Sequence, residues 1–209
     1  DVKGSIKVEA NNVTIKNTRV RGQGSVNIGL INVKPGKTGL KVIDTEIYNE
    51  KPHPDTNGIM GANFTLERVN IHHVVDQVHV TTLGNVKILH SWLHSNTHFK
   101  NDPNWNGGPS HDDNIQLIGG SNILVKSSRI EGAKNAAIMA GQNHAPIKNL
   151  RVEGNLIGGG ACSINISPKG HGDMDGYGNS VTGNVFQRNQ TQHLGCAVIA
   201  PNGSVPKMS

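Results

Sequence analysis

Seven times the chain returns to one short phrase: an apolar residue, any residue, an apolar residue, two or three mostly polar ones, then another apolar residue. It reads VTIKNTRV from Val13, LKVIDTEI from Leu40, FTLERVNI from Phe64 and VKILHSWL from Val86. It recurs as ILVKSSRI from Ile123, LRVEGNLI from Leu150 and NSVTGNVF from Asn179. Successive starts are 27, 24, 22, 37, 27 and 29 residues apart. A repeat of this length is the mark of a solenoid, in which each unit buries its apolar face only by stacking on its neighbours.

The spacing of two inside the phrase is that of a strand, not of a helix. A second strand-like run follows in most units: NGIMG from Asn57, DQVHV from Asp76, DNIQL from Asp113, NAAIM from Asn135, CSINI from Cys162 and CAVIA from Cys196. Strands that recur once per turn stack on their own equivalents and run parallel. The expected fold is therefore all-β: a right-handed parallel β-helix of seven to eight coils, about three short strands each, forming one domain over residues 1–209. At roughly 4.8 Å per coil the stack is about 35–40 Å long. Asn precedes the phrase at Asn12, Asn63, Asn85, Asn122 and Asn149, with Gly39 at the remaining early position. Such residues suit a corner and can pass amide hydrogen bonds from coil to coil. Asn57, Asp76, Asp113 and Asn135 form a second, mixed row at the corner before the later strands.

Composition bounds the remaining choices. Aromatic residues are only 3% of the chain, so each one is informative. No apolar run is long enough to cross a membrane, and no signal peptide opens the chain. Asp1 begins almost directly in coil sequence without a capping helix, which suggests a mature or trimmed form of something longer. The net charge of +5 is scattered, without a Lys/Arg run, which disfavours nucleic acid and leaves an acidic polysaccharide as the best-fitting partner. Cys162 and Cys196 fall at the same phase of consecutive coils, within reach of a disulfide; two stacked free thiols are the alternative.

The repeat is interrupted once, by roughly fifteen extra residues between Trp92 and His111, a loop insertion at about 94–110. It holds His94, His98, Lys100, Asp102 and Trp105 and returns into Ser110-His111-Asp112-Asp113. Asp76 and His79 lie at matching phase on the preceding coil, Gln116 follows on the same coil, and His90 and Ser127 share a second phase. Acids, imidazoles and an amide are thus expected in one outer row beneath the loop, a composition suited to general acid–base chemistry. Trp105 is placed to stack on a sugar ring. A zinc site of His90, His94 and His98 needs a helical face that the strand pattern does not provide.

These residues resemble the pectin-lyase-like superfamily of right-handed parallel β-helix proteins over essentially the whole chain. Asp112-Asp113-Asn114-Ile115 resembles the paired-aspartate motif of polygalacturonases, with Asp76 where those enzymes hold an earlier aspartate. Carried over, Asp76, Asp112 and Asp113 would be the carboxylates of an inverting hydrolase. The following coil has no Gly-His-Gly, and Gly170-His171-Gly172 falls a coil later. Ser110-His111-Asp112-Asp113 also resembles the proline-histidine-aspartate stretch of alginate epimerases.

The expected function is a secreted, carbohydrate-active enzyme that cleaves an acidic, uronic-acid-containing polysaccharide by β-elimination. His111 or His79 would be the base, with Asp76, Asp112 and Asp113 completing the catalytic group. Trp105, Lys100, His98, Gln116 and His90 would bind substrate. Lys100, or calcium held by Asp76, Asp112 and Asp113, would neutralise the uronate carboxylate. Alternatives stand beside it: a polygalacturonase-like glycoside hydrolase or a uronan epimerase, and a non-catalytic carbohydrate-binding or tailspike-like β-helix.

Overall fold

The repeated phrase folds as two strands joined at a sharp corner. Its first apolar pair lies in one strand, such as Leu40–Ile43, and its last apolar residue in the next, such as Glu46–Asn49. Between them one residue per coil takes the left-handed conformation: Asn17, Asp44, Arg68, His90, Ser127, Gly154 and Gly183. A third strand, such as Asn57–Gly61, closes the coil. The computed structural model describes residues 1–24, 29–172, 174, 176–187, 195–200 and 206–209.

Three parallel sheets of eight strands each result. Sheet one runs from Val2–Lys3 to Val185–Phe186, sheet two from Ile6–Val8 to Val198–Ile199, and sheet three from Thr14–Lys16 to Lys207–Met208. The chain is a right-handed parallel β-helix. Register is set by apolar columns through the interior. Sheet one stacks Val20, Ile47, Ile71, Leu93, Ile130 and Ile157. Sheet two stacks Ile31, Ile59, Val78, Ile115, Ile138 and Ile164. Sheet three stacks Val42, Leu66, Ile88, Val125 and Val152. All of these side chains are buried, and slipping one coil by a single residue would turn its apolar side chains outward.

The asparagine row is a bonded ladder. Asn85 Nδ2 donates to Asn63 Oδ1 (2.9 Å), Asn122 Nδ2 to Asn85 Oδ1 (3.1 Å) and Asn149 Nδ2 to Asn122 Oδ1 (2.8 Å). Each of these residues has a positive φ, which asparagine tolerates better than most residues. Gly39 takes the place of asparagine in the row, also at a positive φ (74°). At the next corner Val69 N–H donates to Ser91 Oγ (3.2 Å), Ser91 N–H to Ser128 Oγ (3.1 Å) and Ser128 N–H to Asn155 Oδ1 (2.9 Å). Cys162 and Cys196, on adjacent coils with Cα atoms 4.7 Å apart, are joined by a disulfide.

The mixed corner row differs from its expected register. Asp113 pairs with Ala136, so Asn135 lies level with Asp112. Side chains bridge the offset: Asn135 Nδ2 donates to Asp113 Oδ1 at 2.9 Å.

Candidate functional site

Two segments leave the stack at the corner between sheets one and two and form the walls of a groove on sheet two. One is the short run 50–56, between strands Glu46–Asn49 and Asn57–Gly61. The other is the insertion, residues 94–112, between strands Trp92–Leu93 and Asp113–Leu117. They meet where Asn104 Nδ2 donates to Asp55 Oδ1 at 2.7 Å. The cavity between them is about 440 Å³. Asp76, His79 and Gln116 form its floor, Pro54 and Asp55 one wall, and Asp102, Asn104, Trp105 and His111 the other.

The floor follows from strand alternation. Val78 and Ile115 point into the core, so their successors His79 and Gln116 point outward, in register on adjacent coils. Asp76 sits at the corner, 6% exposed; its Oδ1 accepts the Asp113 N–H (3.0 Å) and its Oδ2 lies 3.4 Å from His79 Nδ1. Trp105 closes a short 3-10 turn, Pro103–Trp105, capped by Asp102, whose carboxylate accepts the Asn104 N–H at 2.8 Å. The indole stacks on the His111 ring with centroids 3.6 Å apart and planes 19° apart, and Trp105 remains 46% exposed. Holding a large aromatic ring in the open is costly unless its free face is used.

Behind the groove the insertion is rooted by buried amides. Asn114 Nδ2 faces Gln77 Oε1 (2.6 Å), Asn96 Oδ1 (2.8 Å) and Glu131 O (2.8 Å). Asn96 Nδ2 in turn donates to Val75 O (2.8 Å) and Asp113 O (2.9 Å).

Several expected site residues lie elsewhere. Asp112 is fully buried; its carboxylate is 2.6 Å from His98 Nδ1 and accepts the Lys134 N–H at 2.8 Å. Burial pushes its pKa up against those two bonds. His98 therefore ties the insertion to its own end at Asp112, which the Lys134 N–H joins to the next coil, and does not line the groove. Asp113 is also fully buried, and burial followed by repulsion from Asp76 pushes its carboxyl well above the ordinary range. Its Oδ2 has no hydrogen-bond partner. Lys100 is exposed on the insertion outside the groove lining. His90 sits at the corner between sheets three and one, with φ 51°, and is not in the groove. Among the described residues no group of three or more His, Cys, Asp or Glu side chains is placed to hold a metal ion, so Asp76, Asp112 and Asp113 do not converge as a calcium cage.

Asp55, Asp102 and Asn104 line the groove although the phase of the repeat does not mark them. Asp102 carried a local signal, an acidic residue before Pro103 at the start of a turn. Asp55 lies in the Pro-bearing run KPHPDT, a second loop that a search for long insertions passes over.

No family model matches the chain, and no curated protein matches it. A solved structure to which it is similar is that of QnrB1, described as a plasmid-mediated fluoroquinolone resistance protein. The two share 13% identity with a TM-score of 0.34, over 95% of this chain and 98% of that one.

The expectation of a polysaccharide lyase with an acidic polysaccharide as its partner is overturned. The groove has the wrong charge for such a substrate. Among the described residues Asp55, Asp76 and Asp102 line it and no Lys or Arg does, although the chain as a whole carries +5. A uronate carboxylate would meet carboxylates without a cation to neutralise it. Nor does the groove present the paired aspartates of a hydrolase, because Asp112 and Asp113 are buried beneath it.

Proposed function

We propose that this chain is a non-catalytic carbohydrate-binding β-helix, pectin-lyase-like in its coil pattern, whose groove takes a neutral saccharide. The observation that carries the reading is the exposed Trp105 ring, held flat by His111 beside a floor of Asp76, His79 and Gln116. An aromatic face covers the apolar face of a sugar ring, and carboxylate, imidazole and amide groups bond its hydroxyls. The lack of Lys and Arg in the lining favours an uncharged sugar over a uronate. Secretion belongs to the same reading, supported by the Cys162–Cys196 disulfide, a bond that persists in oxidising compartments.

Titration with a panel of neutral and acidic oligosaccharides, followed by calorimetry and by the indole N–H signals, tests this. Expected are binding of a neutral member, a loss of about tenfold or more in affinity in Trp105→Ala, and neither new reducing ends nor unsaturated sugar products. Exclusive binding of uronates, or unchanged affinity in Trp105→Ala, would overturn it.

A further inference from the structure

On sheet one, away from the groove, four rings form a column. Tyr48 and His72 stack with centroids 4.9 Å apart, His72 and His94 at 5.1 Å, and His94 and Trp92 at 3.7 Å. Arginines flank both ends: Arg21 is in register with Tyr48, and the Arg129 guanidinium lies 5.6 Å from the Trp92 centroid. His73 meets His72 edge-on at 4.8 Å. The acids facing the column are already engaged. Glu46 bonds Arg19 at 2.7 Å and lies 3.3 Å from His72 Nε2, while Glu131 pairs with Arg129 at 2.8 Å and accepts the Trp92 indole N–H at 3.0 Å.

The position of the column matters for the groove. Tyr48 is the last residue but one of the strand Glu46–Asn49, two residues before the wall that carries Asp55, and His94 is the first residue of the wall that carries Trp105. His94 O accepts a hydrogen bond from Gln77 Nε2 (3.0 Å), and Ser95 O accepts the His73 N–H (2.9 Å). The roots of both walls are therefore tied to the same stack of rings.

We propose that this ring column is an acid-sensitive latch whose opening parts the two walls of the groove. Protonating His72 and His94 places two cations 5.1 Å apart, beside His73 and Arg129 and in a half-buried stack. Burial and then repulsion from His72 hold His94 down to about 4, with Glu131 acting in the opposite sense; burial also lowers His72, opposed by Glu46. Opening returns these rings to their ordinary value, so the open form binds more protons as the pH falls below 6.5. After allowance for solvent screening, the bias towards opening is on the order of tenfold.

The regulatory role rests on the proposed reading of the groove, but the movement is measured without a ligand. The chain has two tryptophans, one in the column and one in the groove wall, so the two indole N–H resonances of ¹⁵N-labelled protein report on both places. Between about pH 7 and pH 4 the Trp105 signal is expected to shift together with that of Trp92, while the far-ultraviolet β-sheet signal is retained. The comparison is made in the His111→Gln background, so that the imidazole stacked on Trp105 adds no shift of its own. There the Trp105 shift is expected to persist, His72→Gln/His94→Gln to abolish it, and single His94→Gln, should the double variant not fold, to reduce it. A Trp105 shift that is absent in His111→Gln, that survives loss of both column imidazoles in that background, or that coincides with loss of the β-sheet signal would overturn the latch. Saccharide titration at neutral pH separates the two readings: absence of binding there removes the sugar and leaves the latch standing, whereas binding that is undiminished near pH 4.5 removes the latch.

Discussion

Asp76 Oδ1 accepts the backbone N–H of Asp113 from the next coil at 3.0 Å, and the Asp113 carboxyl is packed behind it without access to water. Two carboxyls share a corner that has little solvent to separate them. Asp76 faces the groove, and Asp113 bears the cost of burial, with one oxygen unpartnered.

Asp113→Asn is expected to stabilise the protein at neutral pH by about 1 kcal/mol or more, because it removes a buried charge adjacent to another. The sign follows from linkage. A carboxyl whose folded pKa is raised destabilises the fold when ionised, and that penalty fades as the pH falls from the raised folded value through 3.8. Denaturant unfolding at several pH values should therefore show the variant's advantage at neutral pH and its disappearance below about pH 3.8.

Asn122 sits in the middle of the amide ladder and has φ 57°. Asn122→Ala loses two hydrogen bonds and places alanine in the left-handed region, for an expected loss of about 2 kcal/mol. Asn122→Gly relieves the backbone term and should lose less. Equilibrium unfolding of the two variants measures the difference.

Asn114→Ala leaves Gln77 Oε1, Asn96 Oδ1 and Glu131 O without their shared donor inside the corner. A loss of about 2–4 kcal/mol is expected. Hydrogen exchange should localise faster opening to residues 94–112, because Asn96 ties the start of the insertion to Asp113 at its end.

Replacing both cysteines by serine removes a link across a sequence separation of 34 residues. On the chain-entropy account this costs about 3–4 kcal/mol. The loss should appear as earlier unfolding of the coils around Cys162, read as a lower unfolding midpoint of the oxidised protein's variant and of wild type under reductant.

The coil architecture was readable from the primary structure because the stacked columns are identical in kind. A Val, Ile or Leu recurs at most interior positions, and Asn recurs at a corner where a positive φ is required. The position of His79 and Gln116 followed from the same alternation. His90 was misplaced for a specific reason. A strict two-residue alternation ignores the left-handed residue inside the phrase, and His90 is that residue, so it belongs to a different corner. The direction of Asp112 was unreadable because its partners, His98 and the Lys134 N–H, come from the insertion and from the next coil.

The linear chain by itself determined the β-helix, the register of the repeated phrase and the place where the stack is interrupted, since these depend on short periodic patterns that repeat coil after coil; the pairing of Asp113 with Ala136 did not follow from it. Only the tertiary structure decided which acids line the groove. Asp76 lines the groove while Asp112 and Asp113 are buried, and Asp55 and Asp102 join the lining from two loops outside the repeat. Solvent access and charge sign in the groove depend on how loops of different length fold back over one corner, which no local pattern specifies.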